Sequence, residues 1–125
     1  MAADVWVNKY ALRDGEKIYE LNPDQMHRRL AKEFARIENK YENPLSEQEI
    51  YELLKDFKYI IPQGSPMSGI GNDFQVVSLS NCFVIGNAAN SDSYGGILKI
   101  DEEQVQLMKR RGGVGHDLSH IRPKF

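Results

Sequence analysis

The sequence predicts an α+β chain, and three observations predict it. Two stretches in the first half carry apolar residues at helical spacing. Two stretches in the second half are short apolar runs rich in β-branched residues, with a third helical pattern between them. The composition, 41% apolar and 27% charged over 125 residues, is that of a chain with one core.

The elements follow in order. Residues 5–21 read as extended or irregular, with scattered apolar points around a turn at Asp14-Gly15. A helix is predicted over residues 23–40. Asn22 caps it, Pro23 suits its first position, and Gln25 stands three residues after the cap. Met26, Leu30, Phe34 and Ile37 make its apolar stripe, with Ala31 and Ala35 alongside, and Asn43-Pro44 ends it. Ser46 and Glu49 form a capping-box pattern for a second helix whose inner face is Ile50, Leu53, Leu54 and Phe57. Tyr59-Ile60-Ile61 reads as a short strand, and residues 62–72, PQGSPMSGIGN, as a loop of small residues. Residues 74–85 read as a buried strand or two short ones, and residues 87–93 as a polar loop. A helix over about 94–111 is expected to turn Ile97, Ile100 or Leu98, Val105 and Met108 inward. Gly112-Gly113 is the predicted stop, with a last strand over 114–121.

Composition narrows the function classes. The formal charge is −2, so nothing favours binding of nucleic acid or anionic lipid by the whole surface. That charge is uneven. Lys109, Arg110, Arg111, Arg122 and Lys124 face only Asp117 near the C-terminus, a local +4 against −6 for the rest. No apolar run reaches the roughly 18 residues of a membrane span. The N-terminus has neither a basic nor an apolar leader segment. The one cysteine, Cys82, excludes an intrachain disulfide, a CxxC pair and a four-cysteine zinc site, and suits a reducing, cytoplasmic setting.

Three places could carry chemistry. Cys82 is either a core thiol or a redox or nucleophilic thiol, and polar Ser80 and Asn81 beside it favour a cavity edge. The loop around Ser65 is small enough to let a ligand approach the backbone, although it lacks P-loop spacing. The KRRGGVG stretch sets three cations beside flexible glycines, an arrangement that suits the end of a helix or an anionic ligand. His116 and His120 would lie about 13 Å apart in a strand, too far to share a metal, and no metal site is expected.

The motifs SNCFVI (80–85), DSYGGI (92–97) and RRGGVGHDLSHIRP (110–123), in this order and spacing, resemble the ribonucleotide reductase catalytic subunit. The nearest likeness is to the adenosylcobalamin-dependent class, class II. PQGSPMSGIGN is similar to the family's loop before its cysteine strand. The likeness is strong from Ile60 to Pro123 and loose over residues 5–57.

The resemblance implies a helical N-terminal region, 1–58, followed by the first strands and helix of a ten-stranded α/β barrel, 59–125. It implies that Cys82 is one of two redox cysteines, with its partner outside this chain. Ser65, Asn81 and Gly113 would line the substrate site, Ser65 near the substrate phosphates. Asp92, Ser93 and Arg122 would belong to the site of a deoxynucleotide effector. The family's radical-bearing cysteine motif, its later phosphate loop and a second cysteine do not occur in this sequence. The expectation is therefore an N-terminal fragment or split subunit, inactive alone. Its partners would be the remaining reductase, a ribonucleotide, a deoxynucleotide effector and a thioredoxin-like reductant, with a homodimer allowed. Adenosylcobalamin would be contacted elsewhere in the complete enzyme. The alternatives are a non-catalytic nucleotide-binding or interaction module, or a fragment of a class I large subunit. A truncated barrel exposes strand edges, so self-association or dependence on the missing part is expected.

Overall fold

The computed structural model describes residues 1–86 and 91–124. They pack as two units, Met1–Leu79 and Ser80–Phe125. Mixed helices and two small sheets bear out the α+β expectation.

The first unit opens with helix α1 (Ala2–Lys9), where the sequence suggested irregular chain. No apolar period announces it. Its anchor is one residue, Trp6, buried against α2 with its indole N–H 3.4 Å from Met26 Sδ. Helices this short are held by packing rather than propensity. Strands β1 (Arg13–Asp14) and β2 (Lys17–Ile18) form a hairpin around Gly15, whose φ of 57° is the left-handed turn that the Asp14-Gly15 pair foretold.

Helix α2 (Pro23–Glu38) starts as its sequence specifies. Asn22 accepts from the Gln25 N–H, and the Gln25 side chain accepts from Leu21 N. Met26, Leu30, Ala31 and Ala35 are buried, but Phe34 is exposed and lines an apolar groove instead of the core. Helix α3 (Glu47–Leu54) carries the full Ser46–Glu49 capping box and buries Ile50, Tyr51 and Leu54 against α2. The two helices are clasped by Tyr51, whose hydroxyl donates to Asp24 while Arg28 lies over its ring. This hydroxyl, followed by Arg28, holds the Asp24 carboxyl below its usual range.

A 3₁₀ turn, Lys55–Phe57, follows, with Asp56 and Phe57 both at φ 55°. Phe57 lies in this turn rather than on α3, edge-on to buried His27 with ring centroids 4.5 Å apart. The strand expected at Tyr59-Ile60-Ile61 is absent: all three are exposed and no strand lies beside them among the described residues. A strand needs a neighbour to take its backbone hydrogen bonds. The loop expected over 62–72 contains a short helix, α4 (Gly64–Gly69), where Pro66 falls in the first turn and its missing N–H costs nothing. Most of the run 74–85 is likewise not strand. Phe74 stacks on Tyr19, Val77 packs on Gly69, and only Cys82–Ile85 forms strand β3.

In the second unit, β3 runs parallel to β4 (Gly113–His116), with helix α5 (Tyr94–Met108) as the crossover. Parallel neighbours require such a connection. The final strand is thus shorter than the expected 114–121, because Asp117 turns the chain by accepting from both the N–H and the hydroxyl of Ser119. Asn87 to Asn90 of the expected polar loop lie outside the described residues.

Two features of α5 correct the sequence reading. Only Ile100 is buried; Ile97, Leu98, Val105 and Met108, expected inside, are exposed, because two four-residue strands are too narrow to cover the helix. The helix also ends at Met108, three residues short of the expected 111 and four before Gly112. Arg111 takes the left-handed position at φ 67°, while the N–H groups of Arg111 and Gly112 bond to Met108 and Leu107 carbonyls. Gly112 is instead required by packing: a Cβ there would lie 2.8 Å from the Phe83 ring.

Candidate functional site

Cys82 opens β3 and pairs in register with Gly113 of β4. The Gly113 N–H donates to the Asn81 carbonyl at 2.6 Å. Along both strands burial alternates: Phe83, Ile85, Val114 and His116 are half-buried, while Cys82, Val84, Gly113 and Gly115 are exposed. Alternation of this kind puts the two sets on opposite faces. The thiol is therefore free and exposed, not a core residue. Its neighbour across the ladder has no side chain, and a Cβ on Gly113 would stand 3.2 Å from the Asn81 carbonyl and 3.9 Å from Cys82 Sγ. Asn81, Cys82 and Gly113, assigned separately from the sequence, thus come together at one edge of the parallel pair.

A second cluster forms at the start of α5. Ser93 caps the helix by accepting from Gly96 N at 3.0 Å. Asp92 accepts from Arg122 Nε at 2.7 Å and from the Arg122 backbone N–H at 3.1 Å, while Arg122 Nη2 donates to the Asp92 carbonyl. A groove of about 480 Å³ is lined by Ser93 of this cluster together with Gly86, Gly95, Gly96, Lys99, Ile100 and Glu103. Gly95 leaves this entrance open: a Cβ there meets nothing within 4 Å. The helix start, a glycine surface and Lys99 suit an anion, while Glu103 in the same groove opposes one and Ser93 already takes the Gly96 and Ile97 N–H groups. Asp92, Ser93 and Arg122 are so brought together, and Lys99 is a cation the sequence reading passed over.

Ser65 belongs to the first unit. It is buried on α4, a turn tied by the Ser68 hydroxyl, which lies 3.1 Å from the Gly64 carbonyl and 3.3 Å from that of Ser65. Tyr10 packs on this turn, its ring 3.0 Å from where a Gly64 Cβ would be. The first unit also has two apolar grooves. One, of about 560 Å³, lies between α1 and the start of α2 and includes Trp6, Tyr10, Phe57 and Met67. The other, about 400 Å³, lies between α2, α3 and α4 and includes Phe34, Leu53 and Ile70. Sequence reasoning missed the buried ion pair Arg29–Glu20, which touches the α4 turn. Nothing in the spacing marks it, since a charged residue beside an apolar stripe normally faces water.

Among the described residues no helix is long and apolar enough to cross a membrane. The family model described as "Ribonucleotide reductase, all-alpha domain" matches residues 1–71. No curated protein and no solved structure gives a significant match. The match covers the half of the chain where the sequence motifs were loose, and meets the motif-bearing half only at the Ser65 loop.

Proposed function

Because the chain belongs to the ribonucleotide reductase all-alpha domain family, we propose that it is the N-terminal part of a reductase large subunit that carries half of the reducing dithiol. The observation that supports this best is the exposed Cys82 thiol set across a parallel ladder from a glycine, in a chain whose first 71 residues match the family.

The reaction balances with one partner thiol from outside this sequence. A protein thiyl radical opens the chemistry at the ribose. The 2′-hydroxyl leaves as water, a hydrogen takes its place, and the two electrons and two protons come from Cys82 and its partner, which close into a disulfide. A dithiol reductant of the thioredoxin kind reopens it. Gly113 would leave room for the nucleotide over Cys82, and Asn81, next to the thiol in sequence, would line the same site. Ser65 would stand near the substrate phosphates. The radical cysteine is not in this sequence, so the chain alone reduces nothing.

The motif series over residues 80–123 favours the adenosylcobalamin-dependent class over class I. In that class the cofactor supplies the initiating radical. Its contacts are assigned to the remainder of the enzyme. A homodimer through α5 is in keeping with the exposed stripe of Tyr94, Leu98, Val105 and Met108 on that helix. The location is taken as cytoplasmic, where a free thiol stays reduced.

The α5 groove favours a second reading, a nucleotide-binding module that acts without catalysis of its own. Both readings put a deoxynucleotide at Asp92, Ser93 and Arg122. Calorimetry of the full chain with deoxynucleoside triphosphates tests this: binding weakened by Asp92→Ala and Arg122→Ala is expected, and no heat at millimolar nucleotide removes the effector assignment. Formation of any deoxyribonucleotide by the pure chain would overturn the catalytic reading.

A further inference from the structure

We propose that Arg29 is the positioning residue for the α4 turn, holding Ser65 where a phosphate can meet it; the inference rests on the assignment of Ser65 to the substrate site above. The Arg29 and Glu20 side chains are 9% and 6% exposed. Arg29 Nε donates to Glu20 Oε1 at 2.6 Å and Nη2 to Glu20 Oε2 at 3.3 Å. The far side of the same guanidinium serves α4: Nη2 donates to the Met67 carbonyl at 2.8 Å and Nη1 to the Ile70 carbonyl. Glu20 is itself fixed, accepting from the Leu12 N–H at 2.9 Å. The stem of Arg29 passes Gly71, where a Cβ would lie 3.0 Å from Arg29 Cγ and where φ is 70°.

The carbonyls of this turn show why an arginine is there. Gly64 and Ser65 share the Ser68 hydroxyl. Pro66 accepts from Ile70 N, Ser68 from the Asn72 side chain, and Gly69 from Asn72 N. Met67 and Ile70 remain, and Arg29 takes both. A helix of six residues cannot hold its own geometry, so these outside donors set it. The planar fork donates four times here, twice to a carboxylate and once to each of two carbonyls, whereas an ammonium has three donors on one nitrogen. A buried ion pair of this kind is often no more stabilising than an apolar pair of equal size. What it adds here is direction.

The test uses the full chain and amide hydrogen exchange, with inorganic pyrophosphate as the probe. In Arg29→Lys, the α2 amides should exchange within about twofold of the unsubstituted protein. Those of Met67 and Ile70 should exchange at least tenfold faster, and pyrophosphate-induced shifts at Ser65 should need at least tenfold more ligand. The apolar pair Glu20→Leu with Arg29→Met, which keeps the fold without the fork, should behave the same way. Unchanged exchange at Met67 and Ile70 in both variants overturns the inference. So does an equal rise across α2 and α4, which would mark Arg29 as a general stabiliser. If the unsubstituted chain shows no pyrophosphate response at Ser65, the Ser65 assignment fails, while the exchange measurement still decides whether Arg29 orders α4.

Discussion

Gly69→Ala sets two effects of opposite sign against each other at the turn that carries Ser65. Gly69 ends α4 with no positive φ, so an alanine fits its backbone. In a helix that change is worth up to about 1 kcal/mol in favour of the fold. The space argues the other way. A Cβ at position 69 would stand 2.3 Å from Val77 Cγ2 and 3.2 Å from Leu79 Cδ2. Valine is β-branched and cannot swing its methyl aside without leaving its rotamer. Forcing a methyl into such a contact costs about 1–3 kcal/mol. Sterics should therefore win, with a net loss of about 1–2 kcal/mol once the helix gain is set against the overpacking. Urea unfolding at neutral pH measures it, and Val77→Ala supplies the control. Removing the Val77 methyls relieves the clash, so the double variant should be more stable than the sum of the singles by about 0.5–2 kcal/mol. A Gly69→Ala protein as stable as the unsubstituted one, or additive losses in the double variant, would refute the packing of residues 77–79 on α4.

Three further outcomes follow from the same structure. Leu30 is fully buried between the helices of the first unit, so Leu30→Ala should cost about 2–5 kcal/mol in urea unfolding. Burial pushes the His27 imidazole below its ordinary pKa of 6.5, and its buried Nε2 meets no hydrogen-bond partner among the described residues. Well above 6.5 the ring is neutral in both states and adds no pH-dependent cost; below it the unfolded chain takes up the proton first. Stability should therefore fall as pH drops from 7.5 to 5.5, and less so in His27→Leu, compared by denaturation midpoints. The single exposed thiol should react fully with a disulfide reagent in the folded chain, and Gly113→Val should slow that reaction by covering Cys82, read from the rate of thiolate release.

The N-terminal helices were legible because their signals are local. Asn22, Pro23 and Gln25, then Ser46 and Glu49, name their own hydrogen bonds, and the structure contains them. Helix α1 was not legible, since one tryptophan packing on a distant methionine leaves no period. Nor was the Arg29–Glu20 pair, whose partners are 9 residues apart in sequence and whose carbonyl acceptors are 38 and 41 away. The inner face of α5 was misjudged for a different reason. Its apolar residues were read as one buried set, but a two-stranded sheet covers only one side of a helix, and the other side shows Tyr94, Leu98, Val105 and Met108. At the candidate site, the motifs named Asn81, Cys82 and Gly113 one by one, and the register of β3 on β4 is what sets them beside one another. The motifs were silent on the hydrogen bond between Asp92 and Arg122, which depends on a return of the chain 30 residues later.

The central claim is that Cys82 is one half of a reducing dithiol in a ribonucleotide reductase. The most direct measurement supplies the remaining barrel of such an enzyme in trans, with its radical source and a dithiol reductant, and counts deoxyribonucleotides formed per chain. The unsubstituted chain should support repeated turnover, and Cys82→Ser should stop it after at most one. No product with the unsubstituted chain, or undiminished repeated turnover with Cys82→Ser, would contradict the account.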